Sequence, residues 1–541
     1  MFFILALIGA LAAGEEADLV VRGARIYTVD PNRPAASAIA VKGGRILAVG
    51  DSVEPHIGSR TRVIEARGRT LVPGFIDSHG HMEGLGLSLE TLDLRHTSSA
   101  QEVAALVAKA AGATPRSEWI RGRSWDQTRW PDKAFPNAAI LDRAAPDHPV
   151  YLTRVDGHAG WANSKALAIA GVTAATPDPS GGKIIRDNEG RPTGVLIDRA
   201  QGLVTHKIPP STPEQIERRL ERAARECARL GLTTVHDAGA GAQVIEAYRK
   251  LIAVGRLPVR IYAMIGGEGD LWRRYLERGP EIGERLTVRS IKLVADGALG
   301  SRGAALLAPY SDEPGNTGLE ILTREDIERV ARAALARGFQ VNTHAIGDRA
   351  NRTVLDAYAA LLQGPNDRRF RIEHAQVIAP ADFARFRQCS VVASMQATHA
   401  TSDMRWAEAR LGQERAAGAY AWQTLLRHGV RIANGSDFPV EDPNPLPGFY
   451  ASITRQDAAG HPGGGWFPEQ RMTREEALRS WTLEGAWAAF EESTKGSLTT
   501  GKLADFILLS HNIMEVPPSQ ILKARVVLTV LGGEIVHSEL E

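Results

Sequence analysis

Two histidines separated by one glycine, His79-Gly80-His81, close the run VPGFIDSHGH and are the first residues whose type and spacing suit a metal ion. Alternate residues of a strand point to one face, so both imidazoles can reach the same cation, and Gly80 leaves the opposite side unobstructed. Alone, a His-x-His pair is a weak signal. Further residues at the ends of separate apolar runs strengthen it: Lys292 in RSIKLVADG, His344 in FQVNTHAIG, His374 in FRIEHAQ and Asp437 in VRIANGSD. A lysine inside SIKLVAD buries a charge at considerable cost unless it is paired. These groups are therefore read as converging ligands rather than scattered polar residues. Only Cys227 and Cys389 are present, and neither sits in a Cys-x-x-Cys pattern, so a metal must rely on imidazole, carboxylate or lysine-derived ligands.

Such convergence needs a scaffold that brings strand ends together. Eight strand-like runs follow one another at 71–79, 232–239, 259–267, 288–297, 339–347, 370–376, 391–397 and 430–437. Helical patterns lie between them, as in PEQIERRLERAARECARL (213–230) and REDIERVARAALARG (324–338). Eight βα units in order predict a (β/α)8 TIM-type barrel with its active site at the C-terminal ends of the strands. Lys292, His344, His374 and Asp437 then fall on the fourth, fifth, sixth and eighth strands. The gap of about 96–212 is too long for a βα connection and is read as an inserted subdomain. Short alternating strands around Gly43-Gly44 and again around Gly532-Gly533 predict a small β-sandwich built from both chain ends, 15–72 with 496–541. The barrel then occupies 73–495.

The bulk numbers restrict the partners. The 541 residues carry 64 Lys plus Arg against 63 Asp plus Glu, which provides no general attraction for nucleic acid or an acidic membrane surface. A small-molecule substrate is expected, with no nucleic acid and no stable membrane anchor, and room is left for a homodimer. The apolar run Phe2–Ala13 ending in small residues reads as a signal peptide over 1–14, although no Lys or Arg precedes it. A periplasmic or secreted protein is the resulting expectation, with a cytoplasmic one as the alternative.

The phrases VPGFIDSHGH, NTHAIGD, RIEHAQ, NGSDFPV and KGSLTTGKLADFILL, together with the strand lysine, resemble the amidohydrolase superfamily over nearly the whole chain. GRSWDQTRW, DGHAGWANSKAL and KLVADGALGSRGAAL resemble its branch containing the N-substituted formamide deformylases. The resemblance implies two divalent ions, zinc by expectation. His79, His81 and Asp437 would hold the more buried ion and His344 and His374 the more exposed one. Lys292 would bridge them after carboxylation of its amine, because an ammonium cannot ligate a cation. A metal-activated hydroxide would then attack a carbonyl carbon, with Asp437 as general base and acid for cleavage of a non-peptide carbon–nitrogen bond.

Trp125, Asp126, His158, Trp161 and Asn163 in the insertion are candidate substrate-binding residues, and Asp296 and Arg302 after the Lys292 strand join them. His236-Asp237 reads as outer support for a metal ligand or as a structural pair. Other functional readings are a hydrolytic deaminase or a cyclic amide hydrolase. Deaminases of this superfamily usually dispense with the modified lysine, so Lys292 counts against the first. A non-catalytic binding or regulatory barrel is the alternative from another class.

Overall fold

The structure, a computed structural model, describes residues 15–540 except 117, 128–129, 155–158, 180–181, 268 and 301. The proposed signal segment and His158 lie outside the described residues. The chain divides into two compact units, one of the residues up to Met82 with Leu220–Glu541, the other of Glu83–Arg219.

In the first unit the barrel strands are β1 (Phe75–Gly80), β2 (Leu232–Ala240), β3 (Arg260–Gly266), β4 (Leu286–Val294), β5 (Gln340–Ala345), β6 (Arg371–His374), β7 (Val392–Gln396) and β8 (Ile432–Gly435). Each pairs in parallel with the next. Past the end of β8, the Asp437 N–H donates to the His79 carbonyl at 2.7 Å and the His81 N–H to that of Phe438 at 2.8 Å, so the last strand returns to the first. The strands are buried along nearly their whole length because a parallel barrel covers both of their faces. The intervening helices follow the 3.6-residue pattern. Arg324–Ala336, for example, starts at a capping box in which Thr323 and Asp326 satisfy each other's backbone N–H groups.

The first expected run, 71–79, is two strands. Thr70–Pro73 pairs with Phe506–Leu509 in the terminal sheet, and β1 begins at Phe75. The switch falls on Gly74, whose N–H still donates to Asp505 while that of Phe75 donates to Gly231. A Cβ at Gly74 would stand 2.2 Å from the Thr233 side chain, so only glycine lets the chain pass between the sheets here.

The two chain ends form one continuous sheet in the order 534–538, 526–531, 506–509, 70–73, 19–27, 35–42, 45–50, with 62–65 beside 19–22. Its N- and C-terminal halves share one apolar cluster, including Leu19, Val21, Ile39, Phe506, Leu508 and Leu528. Both Gly-Gly turns have positive φ at each residue, and a Cβ on Gly44 would lie 2.9 Å from the Gly532 carbonyl oxygen.

The second unit carries its own sheet, in the order 182–186, 192–198, 159–162, 150–154, 120–125, 92–93. It extends beyond 96–212 in both directions. Leu92–Asp93 pairs with Gly122–Arg123, and Arg218 and Arg219 both bind Glu90. Among the described residues no helix is long and apolar enough to cross a membrane.

Candidate metal centre

The ends of β1, β4, β5, β6 and β8 deliver the predicted ligands to one place. Ligand atoms of His79, His374 and Asp437 lie within 4.8 Å of one another. His81 Nε2 stands 3.0 Å from Asp437 Oδ1, and His79 Nε2 stands 3.6 Å from the same oxygen. Lys292 Nζ is 3.1 Å from His79 Nε2, and the rings of His344 and His374 are centred 4.6 Å apart. His374 and Asp437 both hold left-handed backbone, at φ 72° and 59°. Non-glycine residues adopt that region only where the surroundings impose it, as the Asp437-to-His79 backbone bond does here.

Three of the histidines use Nδ1 outward. His79 Nδ1 meets Glu373 Oε2 at 2.5 Å, His81 Nδ1 the Ala238 carbonyl at 2.8 Å, and His374 Nδ1 the Gln396 amide oxygen at 2.7 Å. This orientation turns each Nε2 inward and settles the tautomer that a metal ligand requires. Asp77 braces the frame by accepting from the His79 N–H at 3.0 Å and the Ser436 hydroxyl at 2.6 Å. Burial pushes its carboxyl up to about 7 against those bonds.

Burial holds His79 and His374 well below the usual imidazole pKa, reinforced by Lys292 beside His79 and by His344 beside His374. They stay neutral, as ligation demands. Burial also lowers Lys292. Burial alone would raise Asp437, but the hydrogen bond from His81 leads the effects that outweigh it and hold the carboxyl well below its usual range. Among the described residues the buried Nε2 atoms of His344 and His399 have no hydrogen-bond partner. Neutral inward imidazoles, a charged carboxylate and unpaired nitrogens together fit a divalent cation.

Residues 62–537 match the amidohydrolase family. The chain belongs to this family. It is similar to Protein LONG AFTER FAR-RED 3 of Arabidopsis thaliana, 37% identical over 96% of this chain and 92% of that one. The N-substituted formamide deformylase of Arthrobacter pascens is 28% identical, over 95% of this chain and 97% of its own. A crystal structure of an uncharacterized metal-dependent hydrolase from Pyrococcus furiosus superposes with a TM-score of 0.77 at 29% identity, over 92% of this chain and 100% of that one. This amidohydrolase is a metal-dependent hydrolase.

The structure describes the expected substrate-binding residues of the amidohydrolase other than His158. Trp125, Trp130 and Trp161 are buried against one another with ring centres 6.0–6.3 Å apart. Trp125 donates to the Leu152 carbonyl and Trp161 to that of Asn137. Asn163 caps the helix Ser164–Ala170 and bonds Val150 and His148. These side chains contribute to the core of the second unit. Asp126 pairs with Arg154 at 2.9 Å. Asp296, fully buried, accepts from the backbone N–H groups of Ala305, Ile346 and Gly347 and so ties the loop after β4 to the loop after β5. Arg302 pairs with Asp312. Arg371 bonds His236 Nδ1 at 2.9 Å, while Asp237 accepts from Tyr248 and the Met82 N–H. Sequence reasoning missed Glu373, Gln396 and His399. Glu373 immediately precedes His374 in RIEHAQ, but nothing local says which way it faces.

Proposed function

We propose that this amidohydrolase cleaves a non-peptide, amide-like carbon–nitrogen bond of a small molecule, with Asp437 moving the proton. The supporting observation is the division of labour in its carboxylate: Oδ1 stands 3.0 and 3.6 Å from His81 and His79, whereas Oδ2 is the oxygen next to His399, at 3.7 Å. His79, His81 and Asp437 would hold one divalent ion and His344 and His374 a second, with Lys292, carboxylated at Nζ, shared between them and zinc the expected metal. When bound, such ions supply Lewis acidity toward a carbonyl oxygen and acidify water. Asp437 accepts a proton from the attacking water and delivers it from Oδ2 to the leaving nitrogen. The inward Nε2 atoms of His79 and His374 keep the ligand geometry without reorganisation, because their Nδ1 atoms are already tied to Glu373 and Gln396. The similarity to a protein named N-substituted formamide deformylase makes formamides the first substrates to try.

The test is metal analysis of the purified protein together with a screen of formamides, N-acyl amino acids, cyclic ureas and esters, on wild type and Asp437→Asn. Turnover of an N-acyl compound by wild type, and a loss on the order of 10²–10⁴-fold in the variant, is the expected result. An Asp437→Asn enzyme as fast as wild type removes the proton role. Turnover confined to ring amines with release of ammonia replaces amide hydrolysis with deamination.

A further inference from the structure

His399 lies outside the ligand set, on the helix Ala397–Asp403 that starts directly after β7. That helix is fastened at both ends. Its first N–H, from Ala397, donates to Asn434 Oδ1 at 3.2 Å. Asp403, one turn beyond His399, accepts from the Tyr420 hydroxyl at 2.5 Å and the Gln376 amide at 3.2 Å. The imidazole stacks on His374 with ring centres 6.0 Å apart and 20° between planes. Its position is thus set by anchors at both ends of the helix and by packing, while among the described residues its buried Nε2 has no hydrogen-bond partner. Buried polar atoms without a partner are few in folded proteins and call for an explanation.

The atom opposite Nε2 is Asp437 Oδ2, 3.7 Å away and beyond direct hydrogen-bond distance. Spheres of about 2.9 Å drawn around two points 3.7 Å apart intersect, so one polar atom of a substrate can bond both groups at once. Asp437 Oδ1 has no such role to play, because His81 and His79 already face it.

We propose that His399 is a catalytic residue that accepts a hydrogen bond from the N–H of the leaving nitrogen while Asp437 Oδ2 protonates the lone pair of that nitrogen. The inference rests on the amide-hydrolysis reading above. In the balanced step the carbonyl carbon gains a bond to the oxygen of water and loses its bond to nitrogen. One water proton passes through Asp437 Oδ2 to the lone pair the nitrogen already carries, and the electron pair of the broken bond becomes the lone pair of the released amine. The other water proton stays with the acid, and the products are a carboxylic acid and an amine. Holding the N–H at His399 turns the lone pair toward Asp437. The site therefore favours substrates of the form R–NH–C(=O) over those whose nitrogen carries no hydrogen.

The experiment uses metal-loaded enzyme, a series of para-substituted formanilides from methoxy to nitro, and N-methylformanilide. Wild type should hydrolyse formanilide at least tenfold faster than N-methylformanilide. His399→Gln and His399→Asn should keep metal content and melting temperature, lose on the order of 10²-fold in kcat on the methoxy compound and far less on the nitro compound, whose amine leaves easily. An equal loss across the series, no loss, or loss of metal from both variants overturns the proposal, the last by making His399 a ligand. Equal wild-type rates on formanilide and N-methylformanilide overturn it even where the variants fail to fold. If wild type hydrolyses no formanilide and no other amide, the reading under Proposed function has failed, and this one falls with it. If wild type hydrolyses them and only the leaving-group trend is absent, His399 alone is misassigned.

Discussion

His79 Nδ1 lies 2.5 Å from Glu373 Oε2, and both side chains are fully inaccessible to solvent. A ligating histidine whose other ring nitrogen is held by a buried carboxylate is oriented before any metal arrives, and the carboxylate raises the basicity of the imidazole. Glu373→Gln keeps the shape and loses the charge. Metal affinity should fall by about 10–100-fold. Competition against a coloured chelator measures it, and an unchanged affinity would reduce Glu373 to a packing residue.

Gly80 is a steric hinge of the centre. A Cβ there would stand 2.5 Å from the ring of Phe438, which is fully buried and adjoins Asp437. Gly80→Ala must displace Phe438 and with it the carboxylate that faces His81. Lower metal occupancy with a smaller change in melting temperature is expected, and full occupancy in the variant would show that the loop after β8 yields freely.

Stability of the metal-stripped protein should depend on pH. Burial depresses the pKa of His79, His236 and His374 well below 6.5. Below about 6.5 the unfolded chain takes up protons that the folded state refuses, so the stability these groups contribute is present above that value and is lost as pH falls through it. Melting of chelator-treated protein should therefore move to lower temperature between about pH 7.5 and 5.5. A flat profile over that range contradicts neutral burial of these imidazoles.

The barrel and the terminal sheet are joined by a buried ion pair. Arg260 of β3 donates to both oxygens of Asp505, at 2.7 and 2.9 Å, and the Gly532 N–H donates to Asp505 Oδ1. Asp505→Ala leaves Arg260 buried with only the half-exposed Glu284 as counter-charge and should cost about 3–5 kcal/mol in denaturant unfolding. Replacing both partners, as Arg260→Met with Asp505→Leu, should recover much of that loss. Equal stability of the single and double variants would show that the pair itself contributes nothing beyond packing.

Much of the fold was legible because it is written in local patterns. Each of the eight apolar runs overlaps a barrel strand, and the helices at 213–229 and 324–336 follow the amphipathic periods read for them. The split at Gly74 was not legible. LVPGFI carries no polar side chain to mark a break, and what divides it is the Thr233 side chain, brought in by β2 from more than 150 residues away. The tryptophans of GRSWDQTRW and DGHAGWANSKAL were equally ambiguous in sequence, since an indole lines a pocket or fills a core with the same side chain. The structure places both indoles in the core of the second unit, each donating to a backbone carbonyl.

What the amino-acid order determined by itself was which residues end which strands, and hence that His79, His81, Lys292, His344, His374 and Asp437 face a common mouth once a barrel forms. What only the tertiary structure decided was how those ligands are held and which groups stand beside them. Glu373 meets His79 across 294 residues, and His399 reaches Asp437 from a helix whose facing depends on the Asn434, Gln376 and Tyr420 anchors. The physical reason is range. Strand alternation is a property of neighbouring residues, whereas a side chain's partner across a barrel depends on the register of every strand between them.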